Sequence, residues 1–220
     1  DTPFKEILSL DLYQLLKPCQ SLFKLSKMKQ PDLENFVGIH NRKYCDGGQC
    51  IRLYKTFMKK KDPEAANIVM GHNEEDLLGL GTIFSLLAYK KLYDGEYHPK
   101  QCVILEQELK IVIELSAAAP VNVSCGNSDF YLSVNGYEAR MLVHLKEGKL
   151  RQYYRNYKDY EFIPGEDTAM PKSITRYMDK SLKIATTPQT CYTWFNCDED
   201  FLNNEKKQMQ YLTHTLPFFL

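Results

Sequence analysis

At 220 residues the chain is long enough to bury a core, as one large domain or two small ones. Its 28 Lys and Arg balance 28 Asp and Glu, which excludes a global basic field; a nucleic-acid partner has to be held by a local patch or by metal ions. No run approaches the roughly 18–20 apolar residues of a membrane span, and the opening "DTPFKEILSL" lacks the basic region and long apolar stretch of a signal peptide, so no membrane partner is expected.

In chain order, the first hundred residues predict helix. "DLYQLLKPCQSLFKL" (11–25) carries Leu12, Leu15, Leu16, Leu22 and Phe23, with Pro18 breaking or kinking the run. "PDLENFVGI" (31–39) predicts a short helix with Pro31 in its first turn and Gly38 at its end. The paired glycines of "CDGGQC" (45–50) predict a loop, and "IRLYKTFMKK" (51–60) is amphipathic. Asp62 as N-cap with Pro63 behind it opens "DPEAANIVM" (62–70), and a helix headed by "GHNEED" (71–76) runs to about Tyr93.

Beyond "DGEYHPK" (94–100), the expected seam, the apolar period changes from near 3.6 to near 2. "VILEQELKIVIEL" (103–115) alternates as a strand. Residues 130–154, "FYLSVNGYEARMLVHLKEGKLRQYY", predict a three-stranded meander turning at Asn135–Gly136, the pair a type I′ turn favours because both positions take positive φ. "PKSITRYMDKSLKIA" (171–185) predicts helix, "TCYTWF" (190–195) a strand and "EDFLNNEKKQMQYL" (199–212) a final helix. The expected fold class is α+β: a mostly helical domain over 1–95, then a mainly antiparallel β-meander domain with helices over 101–220. Trp194 and the closing "PFFL" (217–220) are expected in the core or as a docking tail.

Seven cysteines form no C-x-x-C pair, which gives structural zinc little support. Cys45–Cys50 and Cys191–Cys197 are candidate bridges; the alternative is reduced thiols in a cytoplasmic protein.

The chemistry-bearing stretch is "GHNEED". On a helix His72 and Asp76 share a face, which continues through Leu80, Ile83 and Leu87. A carboxylate heading an inward stripe is costly unless it is paired or metal-bound. The alternative is that these acids only favour the positive end of the helix, worth about 0.3–1 kcal/mol each. A second candidate is "KLRQYYRNYKDYEF" (149–162), where Lys149, Arg151, Arg155 and Lys158 alternate with Tyr154, Tyr157 and other rings. Such rings can stack on bases while the cations meet phosphates; the alternative is tyrosines that pack and cations that are solvated. His40, His98, His144 and His214 have no ligand spacing, and the Ser and acids of "GEDTAMPKS" (165–173) have no neighbouring His for a triad.

"LENFVGI" followed by "GGQCIRLYKTFMKKKDPEAANIVMGHNEEDLLGL", with "LDLY" (10–13) ahead of them, resembles the C-terminal part of the YprB-type branch of the ribonuclease-H-like DEDD (DnaQ-like) exonucleases, over roughly residues 9–93. "YYRNYKDYEFIPGEDTAMPKSITRYMDK" resembles the tail of some members of that group. The resemblance implies metal-dependent 3′–5′ hydrolysis of nucleic acid, in which carboxylates hold two divalent cations, Mg²⁺ or Mn²⁺. It makes Asp76 the last metal ligand and His72 the water-side residue, although H-x3-D spacing matches the tyrosine type of this box. Asp11 becomes an accessory carboxylate.

The family's opening D-x-E strand motif and its second, Asn-x-x-Phe-Asp motif are absent. Asp32-Leu33-Glu34 has the letters of the first but stands in a helical context, and Asp1 of "DTPF" is the one remnant of the second. The expectation is therefore a fragment of such a nuclease, or one that has lost activity, binding Mg²⁺ or Mn²⁺ weakly. Without the sheet they would cover, Leu12, Leu15, Leu80, Ile83 and Leu87 are expected to favour a homodimer or a missing N-terminal fragment. The rival expectation is a non-catalytic nucleic-acid-binding or protein-interaction module.

Overall fold

A computed structural model describes residues 9–44 and 47–219; Asp1 and Cys45, and with Cys45 the first candidate bridge, lie outside them. The chain divides into two compact units between Leu87 and Ala88, ahead of the 94–101 seam. The first is helical among its described residues and the second combines helices with antiparallel sheets.

In the first unit Asp11 caps α1 (Leu12–Leu16), accepting the Gln14 N–H at 3.1 Å. Pro18 falls in a 3-10 turn that separates α1 from α2 (Gln20–Phe23). In α3 (Gln30–Phe36), Asp32 accepts the Lys29 N–H at 3.1 Å. Gly38 ends that helix at φ +92°, where the Gly38 and Ile39 N–H groups reach the Asn35 and Glu34 carbonyls, the doubled pattern of a Schellman stop.

Two expectations fail in the next helices. Gly47 and Gly48 are not loop but the first turn of α4 (Gly47–Lys60). The helix begun at Asp62–Pro63 does not stop at Met70: α5 runs unbroken from Pro63 to Ile83. A mid-helix glycine costs about 1 kcal/mol against Ala, but at Gly71 a Cβ would lie 2.2 Å from the Tyr44 ring. The glycine is a packing position, not a stop. Of the face expected to be uncovered, Ile83 is buried, Leu12, Leu15 and Leu87 are half-buried, and Leu80 is exposed.

α6 (Leu87–Asp94) begins at the last residue of the first unit and carries the chain into the second. β1 (Tyr97–Leu105), β2 (Glu108–Gly126) and β3 (Phe130–His144) then form an antiparallel sheet in that order. The strand expected over 103–115 is a hairpin, folded at Glu106, which takes φ +56°. Asn135–Gly136 is not a turn: β3 passes through it, with Gly136 opposite Ala119 and register shifts on either side. Gly136 takes positive φ and Asn135 does not, so the type I′ requirement is unmet. The 19-residue β2 pairs with β3 on both sides and absorbs the glycine as an irregularity. Tyr89 bridges that irregular stretch, its hydroxyl bonded to the Val121 carbonyl and accepting the Val121 N–H at 3.2 Å.

The two-residue turn with both φ positive is Glu147–Gly148, closing Lys146 against Lys149. β4 (Lys149–Tyr153) then leaves β3 and pairs with β8 (Tyr192–Asn196), so the predicted meander over 130–154 is split between two sheets. β5 (Tyr160–Ile163) takes β6 (Thr168–Pro171) and β7 (Ile184–Ala185) as neighbours. The helix expected over 171–185 is only α7 (Lys172–Thr175); the rest is drawn into turns and the β7 pairing. α8 (Glu199–Leu202) and α9 (Glu205–Phe219) close the unit, with Asp198 capping α8.

The sheet's buried face carries Leu109, Ile111, Ile113, Leu132, Val134 and Met141, and α9 packs against β1 and β4 through an inner face holding Tyr211, Leu212 and Leu216. Cys191 and Cys197 are free, not bridged; burial pushes both thiols up to about 11 and Cys102 to about 12. No described helix is long and apolar enough to cross a membrane.

Continuous pairing of β3 makes a prediction. Leu132→Ala should destabilise the second unit by about 2–5 kcal/mol, the scale of a large-to-small core change. Tyr131→Ala on the opposite face should stay within about 0.5 kcal/mol. Denaturant unfolding followed by Trp194 fluorescence measures both; equal effects would contradict the register.

Candidate functional site

His72 and Asp76 lie in the middle of α5, more than two turns past Pro63, not at a helix head. The attraction of an acid to a helix start fades within the first turn, so it does not account for Asp76. The structure does bring the two residues together: His72 Nδ1 is 3.2 Å from Asp76 Oδ2, with His72 buried and Asp76 half-buried. Glu74 reaches water. Glu75 does not reach it freely, because it accepts the Lys43 and Tyr44 backbone N–H groups at 2.9 and 3.3 Å.

The partner absent from the sequence reading is Arg42, in the segment between α3 and α4. Its Nε donates to Glu34 Oε2 at 2.6 Å, and its Nη2 donates to Glu34 Oε1 at 2.8 Å and to Asp76 Oδ1 at 2.5 Å. Gln30 Nε2 donates to Glu34 Oε1 and to the Asp76 backbone carbonyl, both at 2.8 Å. One guanidinium thus joins an acid on α3 to an acid on α5. Glu34 is 2% exposed. The hydrogen bonds from Arg42 hold its carboxyl below the ordinary carboxylate range, against burial, which pushes it up; Gln30 adds to the lowering. Glu34 in turn raises the Arg42 pKa, so the guanidinium stays charged.

Close approach of α3 to α5 requires Gly79, where a Cβ would stand 1.9 Å from Glu34 Oε1. A glycine inside a helical pattern can mark such close packing, but α5 carries three, Gly71, Gly79 and Gly81, and no local pattern singles out Gly79. Asp32-Leu33-Glu34 is indeed helical, but Glu34 belongs to the charged cluster all the same.

Asp11 sits at the mouth of a different feature. It is exposed, engaged as the α1 cap, and lines an apolar groove with Leu33, Leu80 and Phe84. Gln30 borders both that groove and the Asp76 cluster.

The set Lys149, Arg151, Tyr154, Arg155, Tyr157 and Lys158 is divided among local assemblies in the second unit. Arg151 lies over the Tyr192 and Trp194 rings, 4.8 Å from each centroid. Tyr154 packs on Tyr160, and its hydroxyl pairs with Thr193 at 3.0 Å and accepts from Gln152 at 3.1 Å. Arg155 lies over Tyr93. Lys149 and Lys158 are exposed, and Tyr157 is half-buried.

Among the described residues no three His, Cys, Asp or Glu side chains converge to hold a metal ion. The acids that do converge, Glu34 and Asp76, already share the Arg42 cation. These residues alone therefore do not fit a two-metal centre.

A family model described as the RNase H superfamily matches residues 2–88, a stretch that contains the whole Glu34–Arg42–His72–Asp76 cluster. No curated protein and no solved structure gives a significant match to the chain.

Two outcomes follow from this geometry. Gly79→Ala forces the Glu34 carboxylate off Arg42 and should cost about 1–3 kcal/mol, read from hydrogen exchange of α5 amides. Because the folded pKa of Glu34 is depressed from 4.5, its stabilising contribution is complete at neutral pH and is lost as pH falls below that value and through the folded one. Stability of the helical unit should drop over that acidic window, and Glu34→Gln should flatten the drop; a wild-type profile already flat there would contradict it.

Proposed function

We propose that the helical unit is the closing part of a ribonuclease-H-like nuclease of the YprB-type DEDD group, a metal-dependent 3′–5′ exonuclease acting on nucleic-acid phosphodiesters. Asp76 is its metal-ligating carboxylate, His72 stands at the water side, and Asp11 is an accessory acid. The observation that carries this reading is Asp76 itself. It is a half-buried carboxylate in mid-helix, oriented by a buried histidine, beside a second acid, within the stretch that matches the RNase H superfamily.

On this reading the residues described here are not sufficient for hydrolysis. Arg42 neutralises Asp76, and the remaining carboxylates come from another polypeptide segment or a second copy. Exposed apolar side chains on the helical unit support such a partner: Ile51, Tyr54 and Met58 on α4, and Met70, Leu77 and Leu78 on α5, each at least half exposed. The engagement of Asp76 by Arg42 also favours a second reading, a non-catalytic nucleic-acid-binding or interaction module.

The test uses end-labelled single-stranded DNA and RNA with Mn²⁺. It compares residues 1–220 alone with the protein expressed from its whole reading frame. The reading predicts cutting only by a preparation that supplies the further carboxylates, with a loss of ~10²-fold or more in Asp76→Ala, the scale of removing one preorganised electrostatic group. Cutting that is indifferent to Asp76→Ala overturns it, and no cutting by either preparation leaves the binding module as the account.

A further inference from the structure

On the proposed reading Asp76 has to bind a cation, and in this structure the chain already supplies one. Asp76 Oδ1 accepts from Arg42 Nη2 at 2.5 Å, and Oδ2 lies 3.2 Å from His72 Nδ1. Both carboxylate oxygens are therefore engaged. A divalent ion is repelled from them while a positive guanidinium sits at hydrogen-bonding distance.

Arg42 is held unequally by its two acids. Nε is committed to Glu34 alone, at 2.6 Å, and Nη2 adds a second bond to it at 2.8 Å; that carboxylate is 2% exposed. Asp76 receives only a share of Nη2, and its side chain is 35% exposed. Forked contacts to a buried acid are strong, and a single contact to a carboxylate open to water is weak. The backbone around Arg42 is pinned as well. The Ile39 N–H reaches the Glu34 carbonyl at 2.8 Å, the Lys43 and Tyr44 N–H groups reach Glu75, and the Tyr44 ring packs at Gly71. The part of this arrangement that can give way is the Arg42–Asp76 contact, with Nε still on Glu34. Arginine stays charged at any working pH, so the contact opens by exchange of partners and not by loss of the proton.

We infer that Arg42 is an internal cation that closes Asp76 to divalent metal, with Glu34 as its anchor. The inference rests on the reading of Asp76 as a metal-ligating carboxylate and adds the regulation of that residue. One carboxylate and one histidine are too few to exchange a guanidinium for an ion that takes about six ligands. Several carboxylates brought together are enough. Metal loading is thereby tied to completion of the site, and the unit by itself is kept from collecting ions.

The test is Mn²⁺ binding to residues 1–220 without nucleic acid, read from the electron paramagnetic resonance signal of free Mn²⁺. It compares the wild type, Arg42→Lys and the pair Arg42→Met with Glu34→Met, each with and without Asp76→Asn. Lysine keeps a charge for Glu34 but not the fork that spans both acids. The methionine pair removes both members of the buried contact, so neither charge is stranded. Hydrogen exchange of α5 amides checks that each variant is folded.

In the wild type, Asp76→Asn should leave the Mn²⁺ titration unchanged, because Asp76 is closed; this comparison needs no Arg42 variant to fold. Both Arg42 variants should bind Mn²⁺ at least 10-fold tighter than the wild type, and Asp76→Asn should remove the gain. A wild-type titration weakened by Asp76→Asn, folded Arg42 variants with no gain, or a gain that survives Asp76→Asn overturns the inference. The titration involves neither substrate nor turnover, so its failure is separate from failure of the nuclease assay: cutting that needs Asp76, beside an Arg42→Lys variant with no gain, removes the lock and keeps the nuclease.

Discussion

The helical unit is organised around a charge that cannot be left alone. Glu34 is almost wholly buried on α3, and an ionised carboxylate in that position needs a cation and further donors. Arg42 supplies the cation through a two-point contact and extends the same guanidinium to Asp76, while Gln30 adds a second donor to Glu34 Oε1 and donates to the Asp76 backbone carbonyl on α5. From this follow the glycine at position 79, where no side chain fits, and the anchoring of residues 43 and 44 by Glu75. The segment between α3 and α4 is thereby strapped onto the middle of α5, where His72 and Asp76 stand.

The same contact bears on function. On the proposed reading Asp76 would be the last acid of a DEDD-type centre and would have to be free to bind a cation; in the structure it stands 3.2 Å from His72 Nδ1 and accepts from Arg42. On that reading, a carboxylate held by an arginine fits a unit completed by something else, and the apolar side chains left exposed on α4 and α5 fit that too.

What could be read from the sequence was whatever local spacing determines. Asp62–Pro63 marked the start of α5, Gly38 marked the end of α3, and the four-residue spacing of His72 and Asp76 put them in contact. Arg42 was invisible because its partner Asp76 lies 34 residues away and no local pattern joins them. In the second unit, Asn135–Gly136 carries the local signature of a turn, but a long β2 pairing across it overrode that preference. Segment 171–185 has helical letters and gives up most of them to the pairing of β7 with β5. The Tyr/Arg stretch was read as one stripe; its side chains instead divide among separate packing partners, and the residue that gave Arg151 a role, Trp194, lies across the β4–β8 ladder.

A double-mutant cycle on Arg42 and Glu34, read as hydrogen-exchange protection of α3 and α5 amides, tests the central contact most directly. Arg42→Met alone should cost about 3–5 kcal/mol because it strands a buried carboxylate. Combined with Glu34→Met the loss should largely be recovered, leaving a coupling of at least about 1 kcal/mol between the two sites. Additive losses, or an Arg42→Met variant as well protected as the wild type, would contradict the claim that one guanidinium holds these charges in place.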